Sequence, residues 1–459
     1  MTAGRAPVDA NAFAPVESAA GDARRRFPDG FVWGTATSSF QIEGGRASRG
    51  ESIWDRFCEQ PGAIVDGSNG DVACGHHEHR RGDVRLLREL GVAAYRFSVS
   101  WPRVLPNGRG EPAQAGLDFY SHLVDDLLDS GIEPHVTLYH WDLPQVLEDE
   151  GGWPERATAE AFADYVDVVV SHLGDRVRRW TTLNEPFCSA RFGYVTGTMA
   201  PGRTSPALGY AASHHLLLGH GLAVERIRDR CPDADASIVL NFGAIRAASD
   251  RPEDMAAAEL DHTLLNRWYV EPIAGHGYPI DALVRGVPWD GAEIRDGDLD
   301  VIAAPIDVLG VNYYSRATVG ADPDLHVPVE RATAMGWEIY PAGLAQTLRW
   351  LHDEFAFPRY LITENGAAMA DEPDERGFVD DQDRIEYLHD HLAAVHGVIA
   401  EGVPVEGYFV WSLLDNFEWA YGYTCRFGLV RVDYDTLERI PKASASWYAG
   451  VTRSNALAR

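Results

Sequence analysis

Eight short apolar runs, each followed by a longer stretch of helical pattern, constrain this chain more than any other feature. They are Phe31–Phe40, Ala93–Trp101, His135–Trp141, Arg179–Leu183, Ser237–Gly243, Val308–Tyr314, Tyr360–Thr363 and Gly407–Leu413. Between them, Leu117, Tyr120, Leu123, Val124, Leu127 and Leu128 recur at three- to four-residue spacing, as do Ile385, Leu388, Leu392, Val395 and Ile399. That spacing lays an apolar stripe along one side of a helix. Strands alternating with helices build a parallel sheet, because each parallel return needs a crossover. Eight such units predict closure into a single-domain (β/α)8 TIM barrel.

Length alone would suggest about three domains. Barrels of this class can pass about 400 residues as one domain, however, and no linker interrupts the alternation here. The barrel is therefore expected over residues 27–459, behind a disordered N-terminal arm of residues 1–26. That arm carries no apolar run of the kind a secretory signal needs. Asp281–Asp300 is polar and glycine-rich and reads as an insertion loop. Pro323–Met335 reads as a second loop, reaching over one mouth of the barrel.

Charge and cysteine content narrow the partners. The net charge is −29, which argues against nucleic acid or an anionic membrane surface, since both need a basic face. No apolar stretch reaches the length of a membrane span. The five cysteines, Cys58, Cys74, Cys188, Cys231 and Cys425, are scattered and odd in number. Reduced thiols in a cytoplasmic compartment are expected. Homo-oligomer formation is left open.

Polar and aromatic residues gather at the C-terminal end of nearly every run. They are Gln41 and Glu43, Arg96 to Trp101, His140-Trp141-Asp142, Asn184-Glu185, Asn241, Asn312 to Tyr314, Glu364-Asn365, and Trp411 through Trp419. Barrel enzymes build their active sites at this end. Two of the runs close on a glutamate, Arg179 to Glu185 and Tyr360 to Glu364, and these close the fourth and seventh strands. Cleaving a glycosidic bond needs a proton on the leaving oxygen and electron density at the anomeric carbon. A retaining enzyme supplies both from carboxyls roughly 5–5.5 Å apart. At that separation and an effective dielectric of about 20, their repulsion is roughly 3 kcal/mol. That is on the order of two pKa units, so one can hold a proton while the other is ionised. The residues alone do not say which is which.

Several segments resemble family 1 glycoside hydrolases, the β-glucosidase family, over about Phe27 to Trp447. They are Phe31 to Thr37 with Gln41-Ile42-Glu43-Gly44, Tyr95-Arg96-Phe97-Ser98 with Trp101, and Tyr139-His140-Trp141-Asp142-Leu143-Pro144. Thr182 to Pro186, Ile362 to Gly366 and Trp411 to Trp419 complete the set. The resemblance implies hydrolysis of a small β-glycoside or oligosaccharide, with no cofactor and no metal. It implies Glu185 as acid/base and Glu364 as nucleophile. Arg96 and Tyr314 would sit against Glu364, with Asn312 supporting the pocket. Gln41, His140, Asn184, Glu418 and Trp419 would bind sugar hydroxyls, Asn184 at the one beside the reacting carbon. Trp411 would face the sugar ring. Trp337 would line the entrance, and Trp141 and Phe427 would wall the site.

One stretch departs from the family. His76-His77-Glu78-His79-Arg80-Arg81-Gly82 replaces its usual pattern there. Three histidines suggest a metal, but they have no matching ligands elsewhere, and a rewired loop-to-helix junction is expected instead. Glu418-Trp419, followed by Ala420-Tyr421-Gly422-Tyr423 without a lysine, favours neutral glucosides over 6-phosphorylated ones, because a carboxylate would repel phosphate. Galactosyl and fucosyl substrates stay open. Two other functions fit part of the pattern. A transglycosylase would use the same covalent intermediate, and a non-catalytic sugar-binding barrel would keep the aromatic and amide residues but lose a glutamate.

Overall fold

The computed structural model describes residues 25–279, 289, 291–322 and 327–458. Eight parallel strands close a barrel in sequence order. They are β1 (Val32–Ala36), β2 (Ala94–Ser98), β3 (Glu133–Tyr139), β4 (Arg179–Asn184), β5 (Asp235–Ala247), β6 (Val308–Val319), β7 (Tyr360–Asn365) and β8 (Val405–Trp411). Closure is made by β1 on β8, with Val32 opposite Gly407 and Ala36 opposite Trp411. Among the described residues, no helix is long and apolar enough to cross a membrane.

Helices cover the outside and bury the stripes read from the sequence. Leu117, Tyr120, Leu123, Val124 and Leu127 are buried on the helix Gln114–Asp129, whereas Leu128 is exposed. Leu388, Leu392 and Val395 are buried on Gln382–Ala400. The N-terminal mouth of the barrel is closed by charge. Arg179 and Arg359 each pair with both Asp235 and Glu406, at 2.8–3.3 Å where Arg359 meets each acid and Arg179 meets Glu406.

Several element boundaries differ from expectation. The first run breaks in two: β1 stops at Ala36, and Ser39–Ile42 turns into a short helix carrying Gln41. The second run likewise ends its strand at Ser98 and starts a helix at Trp101. β5 and β6 run well past the expected ends, because they keep pairing with each other beyond the barrel, Ala247 opposite Val319. Arg25 and Arg26 are not part of a disordered arm. They pair antiparallel with Leu457 and Ala456, a partner over 400 residues away that no local pattern announces. The rest of the expected arm, residues 1–24, lies outside the described residues, as do 281–288 and 290 of the first loop and 323–326 of the second. The first loop ends early, since Asp298 already begins the helix Asp298–Ile302. Its carboxylate accepts from Arg156 at 2.7 and 2.8 Å.

The histidine-rich stretch opens the helix His76–Leu90 directly. His76 Nδ1 lies 2.8 Å from Asp83, which also receives Arg439, and His77 stacks on Phe119. Two of the three histidines thus have local packing roles at the junction.

Candidate active site

Glu364 lies on β7 and Glu185 follows β4 directly. The ladder is irregular at each of these places. Register shifts occur between Thr181 and Asn184, between Val311 and Asn312, and between Ile362 and Asn365. A bulge re-aims side chains that strict alternation would send to opposite faces. Backbone strain concentrates here too. Of the seven described non-glycine residues with left-handed φ, three are Trp141, Glu185 and Trp419. Such conformations cost energy and persist where the surroundings impose them.

The two carboxyls have unequal neighbours. Arg96 Nη1 donates to Glu364 Oε1 at 2.6 Å, and Tyr314 Oη donates to Oε2 at 2.6 Å. Arg96 was expected at a strand exit, but it sits inside β2 and is fully buried. Its Nη2 donates to Asn184 Oδ1 at 2.6 Å and its Nε to Thr137 at 3.1 Å. Burial and the Glu364 charge hold the Tyr314 phenol well above its usual range, so it stays a donor.

Glu185 receives no Arg or Lys hydrogen bond among the described residues. Asn312 Nδ2 donates to its Oε1 at 2.7 Å, and the Cys188 thiol donates to its Oε2 at 3.2 Å. Burial, then the Glu364 charge, pushes its pKa up to about 8. Loss of hydration and a like charge nearby both disfavour the charged form, and here they outweigh the two donors.

The other candidates close around this pair. His140 Nε2 lies 3.1 Å from Asn184 Nδ2, and burial beside Arg96 keeps its imidazole neutral. Trp141 Nε1 donates to the Asn184 carbonyl at 3.0 Å. Trp411 and Trp419 stack on His140 with ring centroids 5.7 and 6.0 Å away, and Trp419 also packs on Trp141 at 4.7 Å. Gln41 Nε2 donates to Asn416 Oδ1 and the Phe417 carbonyl, both at 2.9 Å, and reaches Glu418 Oε2 at 3.4 Å. Glu418 is pushed up to about 8 by burial and by both other glutamates. Phe427 and the half-buried Trp337 pack on Tyr314 at 6.2 and 5.6 Å. The catalytic and binding residues implied by the resemblance thus gather around the two glutamates, with Gln41 and Glu418 held on the turn that leads into Trp419.

Cys188 and Thr137 were missed by the sequence reading. Cys188 is three residues past Glu185 on the helix Pro186–Ala190. That i, i+3 spacing could have flagged it, since such pairs share a helix face.

Residues 23–457 match the model of glycosyl hydrolase family 1. The chain belongs to that family. As a family 1 member it is a glycoside hydrolase. It is 45% identical to β-glucosidase A of Acetivibrio thermocellus, over 94% of this chain and 98% of that protein. It is 44% identical to a bifunctional β-D-glucosidase/β-D-fucosidase of Bifidobacterium breve, over 92% and 97%. It superposes with a TM-score of 0.90 on a Thermotoga maritima β-glucosidase in complex with glucoimidazole, at 44% identity over 94% and 99%.

Proposed function

We propose that this chain is a retaining β-glucosidase acting on neutral β-glucosides, with Glu185 as acid/base and Glu364 as nucleophile. The observation that carries the assignment is the unequal company of the two carboxyls. Glu364 takes a guanidinium and a phenol donor, one on each oxygen, and this pair of hydrogen bonds aims the carboxyl group as a nucleophile needs. Glu185 has only an amide and a thiol, which suits a group that must first carry a proton.

The reaction follows from these states. Glu364 attacks the anomeric carbon while Glu185 protonates the glycosidic oxygen, and the aglycone leaves. The glucosyl ester on Glu364 is uncharged, so the repulsion that raised Glu185 is gone. Its pKa falls and it takes a proton from water, which attacks the same carbon and frees Glu364. Two inversions give net retention. Asn184, fixed by Arg96, would hold the hydroxyl beside the reacting carbon. Gln41, His140, Glu418 and Trp419 would hold the others, with Trp411 against the ring. Glu418 would offer a 6-phosphate no positive charge, and no lysine follows it over Ala420–Tyr423. The names of the relatives support glucosyl and fucosyl substrates, and the five unpaired cysteines fit a cytoplasmic setting.

Proton NMR of p-nitrophenyl β-glucoside hydrolysis tests the reading. The first product should be β-glucose, and initial α-glucose would reject the retaining mechanism. Rates on galactoside, fucoside and 6-phosphoglucoside rank the glycone.

A further inference from the structure

The residues of the glycone side sit on barrel strands or just past them. Trp337 does not. It lies on an irregular segment after β6, yet it packs on Tyr314, the phenol that donates to Glu364. A side chain on a loop needs outside support to hold a fixed position.

That support comes from Glu338, the next residue. β5 and β6 continue past the barrel as a two-stranded ribbon, Ala244 opposite Arg316 through Ala247 opposite Val319. From this ribbon Arg316 grips Glu338 with two parallel hydrogen bonds, Nε to Oε2 at 2.7 Å and Nη2 to Oε1. The backbones of Arg316 and Glu338 also form an antiparallel bridge. The guanidinium lies over the Tyr340 ring, 3.7 Å from its centroid. Both partners are largely shielded, with 15% and 12% of their side chains exposed. Bidentate geometry and partial burial make such a pair stiffer and less screened than a surface ion pair. Within the loop, Thr333 N donates to the Trp337 carbonyl at 2.9 Å, and Ala334 N donates to Ala368, just past β7, at 2.9 Å.

We propose that the Arg316–Glu338 pair is a specificity-determining device that fixes Trp337 at the leaving-group side and so sets affinity for aromatic aglycones. Among the described residues neither side chain hydrogen-bonds to Glu185, Glu364 or the residues that hold them, so they act through Trp337 as positioning residues. The inference rests on the β-glucosidase reading of the Glu185–Glu364 site.

The test compares one substrate that uses the aglycone side with one ligand that does not. Arg316→Met and Glu338→Gln should each raise KM for p-nitrophenyl β-glucoside by about tenfold, the size of one lost pocket contact. The inhibition constant of deoxynojirimycin, which has no aglycone, should stay within about twofold, and so should kcat. Arg316→Lys should recover only part of the KM, because an ammonium cannot make the fork. An unchanged KM, or a parallel rise in the inhibition constant, would overturn the proposal. If Arg316→Met does not fold, Tyr340→Leu removes the ring under the guanidinium and should shift KM the same way. Failure of the unaltered protein to cleave the aryl glucoside would instead reject the β-glucosidase reading.

Discussion

Arg96 donates to Glu364 at 2.6 Å and makes no hydrogen bond to Glu185. Its second nitrogen goes to Asn184, the residue just before Glu185. One guanidinium therefore pairs directly with one carboxyl and reaches the other only through the adjacent Asn184 side chain and its charge at a distance. This asymmetry separates two glutamates that look alike along the chain.

Glu364→Ala should lower kcat by about four orders of magnitude or more, as for other residues that act as a unit. Azide should restore part of the rate by entering the space the side chain leaves. It would attack from the nucleophile's face in a single inversion, so the product is the α-glucosyl azide. Chromatography and NMR of the product check this, and wild-type turnover in the variant would remove Glu364 as nucleophile.

Glu185→Gln should spare good leaving groups and cripple poor ones. A nitrophenolate needs little protonation to depart, whereas the sugar leaving group of cellobiose does. The ratio of kcat/KM on the two substrates reads this directly. Equal losses on both would count against an acid role.

The alkaline limb of kcat/KM should fall near pH 8, where Glu185 gives up its proton. Cys188 and Asn312 donate to the ionised form and so hold this pKa down. Cys188→Ala should move the limb to higher pH, while Cys188→Ser, which keeps a donor, should move it less. A pH profile with no displacement in Cys188→Ala would show the thiol contact to be idle.

The same raised pKa makes a stability prediction. The unfolded Glu185 side chain loses its proton near its usual 4.5, and the folded one keeps it to about 8. Across that window the folded state binds more protons, so stability falls as pH rises. Glu185→Gln removes this penalty. Its melting temperature should exceed that of the unaltered protein at pH 8, and the gap should shrink at pH 5. Calorimetry at the two values decides it.

Lys442 is fully buried between Asp371 and Asp415, 2.7 Å from the latter. Asp415 begins the turn that carries Glu418, and Arg426 and Arg384 complete the cluster through Asp415 and Asp371. Lys442→Met leaves buried carboxylates short of a cation, which costs about 3–5 kcal/mol. Urea denaturation should show the loss.

Much of the architecture was legible along the chain. Eight strand–helix alternations determined the barrel, because periodicity and length are local properties. Polar residues at the run ends pointed to the catalytic mouth for the same reason, and the family motifs named the two glutamates. Tertiary structure decided the rest. The partners of Glu364 come from β2 and β6, so no window of sequence holds them together. Bulges at β4, β6 and β7 depend on how neighbouring strands register. Arg25 and Arg26 joined a strand only because the far terminus arrived beside them. Arg316 and Glu338 are 22 residues apart, and Arg316 stands on a ribbon that exists only because β5 and β6 go on pairing above the barrel. Pattern along a chain records which face a residue shows. Which charge meets which carboxyl depends on distances that closure of the barrel alone creates.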